Sequence, residues 1–274
     1  MTIINTNLKA IVAQQALVKN ERSLQTAMEQ LSTGRRINSA KDDAAGLAIA
    51  NRLNTQVRGL SQAMRNAGDA VSMLQTADGA AEEITNMLIR MRELAVQSAN
   101  GTNGAAERTA LDSEFGELQS QIAQITDNTQ WNGMNILNGG TATVSFQVGA
   151  ASGQTVAFTF KDLDASAVGL HISAGTEILS GGSAAAAISA IDQAIAAVDS
   201  FRSEAGAKMN RLVHAADNSA NVMTNTAASR SRILDADYAK ATSELARAQI
   251  IQEAGTAMLS QANQMPRYVM ALLR

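Results

Sequence analysis

Leu53-Asn-Thr-Gln-Val57-Arg-Gly-Leu60-Ser-Gln-Ala-Met64-Arg-Asn-Ala67-Gly-Asp-Ala-Val71-Ser-Met-Leu74 sets an apolar residue at alternating steps of four and three without error. That rhythm is the seam of a helix lying along another helix. The register slips near 76–79 and resumes as Ile84, Leu88, Met91 and Ala95. Only Gly59, Gly68 and Gly79 interrupt, each costing about 1 kcal/mol relative to alanine. One helix over 43–99 would extend roughly 85 Å, too long for a compact domain of this mass.

Downstream, Asn100-Gly101-Thr102-Asn103-Gly104 is a turn, its Asn-Gly pairs suited to positive φ. A second helix follows on Leu111, Phe115, Leu118, Ile122 and Ile125 and ends near 127–130. So short a connection lays it antiparallel on the first. The centre then changes period. Val144, Phe146 and Val148 alternate with polar residues, as do Val156, Phe158 and Phe160, around Ala151-Ser152-Gly153-Gln154. Two period-two runs about a glycine turn predict a β-hairpin. Leu170-His171-Ile172 is open between loop and short strand. Helix resumes after Gly181-Gly182-Ser183 on Ile188, Ile191, Ile195, Val198, Ala205, Met209, Leu212, Ala216 and Met223, with Arg202 and Ser219 as breaks.

The two ends are weaker versions of the same pattern. Ile3, Ala10, Leu17, Leu24 and Leu31 recur every seven residues, but Asn7, Gln14 and Glu21 occupy the companion sites before Met28. The final helix, about 234–264, carries Ala241, Leu245, Ala248, Ile251 and Met258, and Pro266 ends or kinks it. Polar residues at half the seam make a coiled coil weak in isolation. The strong positions Leu53, Val57, Leu60, Met64, Val71, Leu74, Leu118, Ile122, Ile195 and Leu212 are therefore read as the core of a rod. Leu17, Leu24, Met28, Leu31, Leu245, Ile251 and Met258 are read as a seam that closes only on assembly, with residues 1–35 marginal until covered. The expected fold is mainly α: an elongated antiparallel helical bundle or coiled coil made by both chain ends, with a short central β-hairpin.

Composition narrows the chemistry. Of 274 residues, 46% are hydrophobic but only 3% aromatic, so alanine supplies much of the apolar count and little area per residue. A net charge of −3 lacks the basic stripe that nucleic acid demands. With no cysteine and two histidines, His171 and His214, a metal cage has too few ligands. Asp42-Asp43 and Asp235-Ala-Asp237 stand at helix beginnings, where carboxylates cap and complement the dipole. The methionines at 64, 73, 87, 91, 209 and 223 read as gap-fillers in helix seams. Neither a zinc-protease motif nor a phosphate loop occurs, so no enzyme class has supporting residues and no cofactor is expected. The N-terminus shows no basic leader followed by an apolar run, and no run of about 18 apolar residues suggests a membrane span.

At Ile4-Asn5-Thr6-Asn7, Leu31-Ser-Thr-Gly-Arg-Arg-Ile-Asn-Ser-Ala-Lys-Asp-Asp-Ala-Ala-Gly46 and Arg92-Glu-Leu-Ala-Val-Gln-Ser-Ala-Asn100, the chain resembles bacterial flagellins. Ser229-Arg-Ser-Arg-Ile233, Asp237-Tyr238, Arg247-Ala-Gln-Ile250, Ala254-Gly255, Gln261-Ala-Asn-Gln264 and Leu272-Leu273-Arg274 agree at the far end. The resemblance implies a helical filament subunit outside the bacterial cell. It implies a terminal domain, 1–42 with 235–274, lining the filament core. Around it would stand a rod domain, 43–139 with 184–234, and a hairpin region, 140–183, too short for large outer domains. Implied partners are other copies of the chain, a filament cap, hook-junction proteins, the type III flagellar export apparatus and an export chaperone on the C-terminal helix. An innate immune receptor of the host is a further one. Its contact motif maps onto Arg90, Leu94 and Glu114, with Glu83 and Arg92 nearby and Ile89 where relatives usually carry a polar residue. Two other readings stay open, a hook–filament junction protein and a cytosolic coiled-coil adaptor.

Overall fold

The computed structural model describes residues 6–141, 143–164, 170, 172 and 176–272, the stretch 265–272 as helix backbone. In chain order the elements are α1 (Leu8–Thr33), α2 (Ala44–Ala99), α3 (Ala105–Asn128), β1 (Gln130–Trp131), β2 (Met134–Asn135), β3 (Thr143–Gln147), β4 (Thr155–Thr159), α4 (Gly181–Leu234) and α5 (Tyr238–Leu272). They form two compact units, Met1–Val57 with Thr224–Arg274, and Arg58–Met223. The helix-to-helix turns near 42 and 235 thus lie inside the first unit.

In the second unit the α2 seam does not slip. Its buried positions run Leu60, Ala63, Ala67, Ala70, Leu74, Ala77, Ala81, Ile84, Leu88, Met91 and Ala95, an unbroken three-four alternation. Met64 and Val71 stand half-buried one residue to the side. The same rotation holds on α4. Ala184, Ala187, Ile191, Ala194, Val198, Phe201, Ala205, Leu212 and Ser219 are buried. Ile188 and Ile195 flank them, half-buried against the core. The breaks expected at 202 and 219 disappear, because Phe201 takes the seam position and Arg202 turns to Asp78 (2.9 Å). The serine at 219 is buried with its hydroxyl donated to the Val148 carbonyl (3.4 Å). Alanine at the contact line lets helices approach closely, and the larger side chains then cover the flanks. On α3, Phe115 and Ile122 are buried and Leu118 is half-buried against the same core. An 18-residue stretch of α4 is apolar enough to cross a membrane by composition alone, but its buried stripe is core.

The central strands pair antiparallel, Val144 opposite Phe158 and Phe146 opposite Val156. Val156, Phe158 and Phe160 are buried. The Phe158 ring meets Phe160 edge-on at 4.8 Å and Phe201 at 5.7 Å. The loop end of the hairpin rests on α2: Asn66 donates to the Gln147 carbonyl (3.1 Å). A side chain on Gly59 would come within 3.0 Å of the Ala150 methyl, so this glycine admits the hairpin rather than merely weakening the helix. A second hairpin, β1–β2, went unread in the sequence. It turns on Asn132 (φ 48°) and Gly133 (φ 78°), the dipeptide favoured in two-residue hairpin loops. Leu170 and Ile172 are buried outside any strand, and His171 lies outside the described residues.

In the first unit α1 and α5 run antiparallel. Pro266 does not end α5, which continues to Leu272. Of the Asp42-Asp43 pair only Asp43 caps α2, accepting from the Gly46 N–H (2.7 Å). Asp42 instead closes the preceding turn, accepting from the Ser39 N–H (2.9 Å) and hydroxyl (3.0 Å). Those Ser39 bonds hold its carboxyl below the usual carboxylate range.

Candidate functional site

Two connectors cross beneath the terminal helices. Gly34 closes α1 in the left-handed region at φ 68°, and its carbonyl accepts from the Ala236 N–H (2.9 Å). Arg36 donates its backbone N–H to the Leu234 carbonyl (2.7 Å) and its guanidinium to the Ile233 carbonyl (2.7 Å). Gln30 reaches the Arg36 carbonyl (3.1 Å), and the Tyr238 hydroxyl donates to the Leu31 carbonyl (3.3 Å). This small clasp ties the end of α1 to the start of α5, which makes their pairing nearly local once it forms.

Above the clasp, α1 presents Ala10, Ala13, Leu17, Asn20, Leu24, Ala27 and Leu31 inward. The facing line on α5 is Ala241, Leu245, Ala248, Gln252, Gly255, Leu259 and Ala262. Leu17, Leu24, Leu31 and Leu245 therefore belong to the contact. Met28, Ile251 and Met258 do not: they are 55%, 46% and 66% exposed. Their places in the seam are taken by Leu259 and by Ala27, Gln252 and Gly255, small or polar residues that a pattern of large side chains does not mark.

Three polar or absent side chains organise this contact. Asn7 caps α1 by accepting from the Ala10 N–H (3.1 Å) and donates across to the Ala262 carbonyl (2.8 Å). The Asn20 amide is buried and donates to the Ala248 carbonyl (2.8 Å) and the Gln252 side chain (3.0 Å). At Gly255 an added Cβ would stand 2.6 Å from a Leu17 methyl, so Leu17 seats directly against this glycine and would have to shift for any larger residue. Asn7, a flaw in the heptad pattern, and Asn20, which the pattern passes over for Glu21, are the hydrogen-bonded points of the contact.

Beside the seam opens a groove of about 690 Å³ lined by Leu8, Val12, Leu17, Ile251 and Met258. Leu8 is 56% and Val12 65% exposed, and Ile11, Val18 and Ile250 lie open elsewhere on the two helices. A soluble surface rarely leaves so many large apolar residues uncovered on two neighbouring helices. Physically, the face is built to be buried by something else.

The other candidate residues lie in the second unit. Arg90 pairs with Glu114 of α3 (2.8 Å) and with Glu93 one turn on (2.9 Å). Glu114, ahead of Glu93, makes its guanidinium harder to deprotonate than usual. Arg92 points to a different neighbour, Asp192 of α4 (2.6 Å). Glu83 is exposed and Ile89 is 47% exposed, but Leu94 is only 1% exposed, inside the core. Of the five, Arg90, Glu114, Arg92 and Glu83 are open to a partner. Leu94 belongs instead to the buried core, next to Ala95 on the seam.

Residues 4–142 match the family model of the bacterial flagellin N-terminal helical region, and residues 188–273 match that of the C-terminal helical region. The chain is 46% identical to the flagellin of Halalkalibacterium halodurans over 272 residues, 99% of this chain and 100% of that one. It is 38% identical to flagellin A of Vibrio anguillarum over an alignment of 379 residues that takes in all of both chains. Among solved structures, the crystal structure of Bacillus cereus flagellin is similar with a TM-score of 0.51 and 34% identity, over 57% of this chain and 88% of that one. A flagellar hook-associated protein of Vibrio parahaemolyticus shares the fold at a TM-score of 0.60 and 16% identity, over 71% of this chain and 100% of that one.

Proposed function

The chain belongs to the bacterial flagellin family and is a structural subunit of the flagellar filament, and from that premise we propose how its two units divide the work. The first unit packs in the filament core, where the open apolar face of α1 and α5 is buried by neighbouring copies. The observation that carries this is the uncovered set Leu8, Val12, Ile251 and Met258 around the groove. Contacts that join unlike surfaces of successive copies, with a rotation that does not close, give a helix rather than a ring. The second unit, with its alanine-lined core, is the rod outside. The stretch 143–187 lies outside both matched family regions, and the Vibrio alignment is longer than this chain; both favour a short subunit without large outer domains.

The chain leaves the cell unfolded through the type III flagellar export apparatus. A chaperone covers the C-terminal helix until then, and hook-junction and cap proteins bound the growing filament. Ends with a thin, polar-interrupted seam suit that route, because they order only when copies cover them. Seeding a concentrated solution with filament fragments tests the central claim. Long filaments by electron microscopy are expected; a discrete oligomer would favour the adaptor reading and a short capped zone the junction protein. Hydrogen exchange on the monomer tests the coupled folding. Residues 6–35 and 240–264 should exchange much faster than 60–95, and equal protection would refute it.

A second role follows from Arg90 and Glu114, held together across α2 and α3 on an exposed face: recognition by a host innate immune receptor. Arg90→Ala with Glu114→Ala should lower receptor activation by soluble chain, on the order of tenfold or more if both contacts are lost. Filament yield should not change, since each side chain is about half exposed and pairs so screened by solvent contribute little to folding. Unchanged activation would remove the assignment.

A further inference from the structure

The α1/α5 seam repeats itself nearly perfectly, and repetition leaves its register under-determined. Each heptad of α1 offers one small residue and one leucine: Ala13 and Leu17, then Ala27 and Leu31. On α5, Ala241 and Leu245 are followed by Ala248, and later by Leu259 and Ala262. Sliding one helix by a heptad, roughly 10 Å, sets alanine and leucine against alanine and leucine again. Ala10 and the Asn7 cap depart from the repeat at the open end, where Asn7 reaches a backbone carbonyl; within the seam the middle departs, where Asn20 faces Ala248 and Gln252, and Leu17 faces Gly255.

We propose that Asn20, donating to the Ala248 carbonyl and Gln252 and seconded by the Leu17–Gly255 fit, is the residue that fixes the α1/α5 register. In either one-heptad slide its amide would lie beside Leu245 or Leu259, buried without the Gln252 oxygen. An unpartnered buried amide is strongly disfavoured, and a single seam asparagine is known to select register at a cost in stability. The clasp at Gly34–Arg36 also holds the helices, but at one end only, through two backbone bonds and the exposed guanidinium of Arg36. The inference deepens the filament reading, since the register decides which apolar side chains line the groove that each copy offers its neighbour.

The chain has no cysteine, so engineered pairs report register cleanly. One heptad from Asn20 and Ala248 on each helix, Ala27 lies opposite Ala241, and both are buried. Ala27→Cys with Ala241→Cys therefore reports the observed register, and Ala27→Cys with Ala248→Cys a one-heptad slide. Each pair is oxidised in seeded filaments and in soluble chain. Intrachain links are then scored by mobility on non-reducing gels. With Asn20 intact, the 27/241 link should form and the 27/248 link should not. In Asn20→Leu the 27/248 yield should rise about tenfold, and Asn20→Gln, which keeps a donor amide, should suppress it again.

A 27/248 yield that stays at background in Asn20→Leu while 27/241 persists would mean the clasp alone sets the register, and overturns the proposal. If Asn20→Leu loses both links, Asn20→Ala decides by the same two yields, and loss of both there reduces Asn20 to a merely structural residue. A parent chain without the 27/241 link in either state overturns it as well. Failure of the parent to polymerise counts instead against the filament reading, and the soluble chain then reports the register.

Discussion

Replacing Phe201 with alanine is expected to destabilise the second unit by about 3–5 kcal/mol, the range for a fully buried phenylalanine. Phe201 is 0% exposed and meets the Phe158 ring edge-on at 5.7 Å, and Phe158 in turn meets Phe160 at 4.8 Å. Its removal opens a cavity where α4 carries the hairpin, and the ring contact is worth about 0.5–1.5 kcal/mol beyond area. A loss of that size is a large share of a typical total of about 5–15 kcal/mol. Urea unfolding followed by circular dichroism measures it. The neighbouring substitution Arg202→Ala is the control. Arg202 makes a partly exposed pair with Asp78, worth at most about 1 kcal/mol. Equal damage from the two would mean that Phe201 does not hold the seam.

Val12→Glu combined with Met258→Glu should leave the soluble chain intact and abolish its assembly. The two side chains are 65% and 66% exposed, so placing carboxylates there removes little packing within the chain. Burying each against a neighbour is worth roughly 1.5–3 kcal/mol, which the substitution forfeits, and a buried carboxylate without a partner adds a further penalty. At about 1.4 kcal/mol per factor of ten, seeded filament yield should fall on the order of a hundredfold or more. Sedimentation and electron microscopy read the yield, and the urea midpoint of the second unit should be unchanged. Normal filaments from this variant would show that the α1/α5 groove is not an assembly face.

Both variants bear on what could be read from the chain alone. The turn at 100–104 and the hairpin around 151–154 are local signals, legible because one or two residue types decide them, whereas Gly181-Gly182-Ser183, read as a turn before the helix, is already the first turn of α4. The clasp was not legible: its bonds join the Gly34 and Ala236 backbones, and backbone pairing over that separation leaves no mark on residue type. The β1–β2 turn was legible in principle, since Asn132-Gly133 is a strong hairpin dipeptide, but the strands it joins are two residues each, too short to show a period.

The sequence by itself determined that long helices from both ends pair, that a hairpin sits between them, and, through the flagellin motifs, what the subunit builds. Only the tertiary structure decided which line along each helix is the contact. A three-four repeat defines a stripe, but moving one residue along an α-helix rotates the stripe by about 100° while keeping its spacing. Large side chains pull the reading toward Met64, Val71, Ile188, Ile195, Ile251 and Met258. The contact itself runs through Ala63, Ala70, Ala187, Ala194 and Gly255, because close approach of two backbones favours the smallest residues at the line of contact, and through Gln252, which accepts from Asn20 there. By the same rotation the pattern set Glu21 at a seam site that the structure gives to Asn20, a buried, hydrogen-bonded amide.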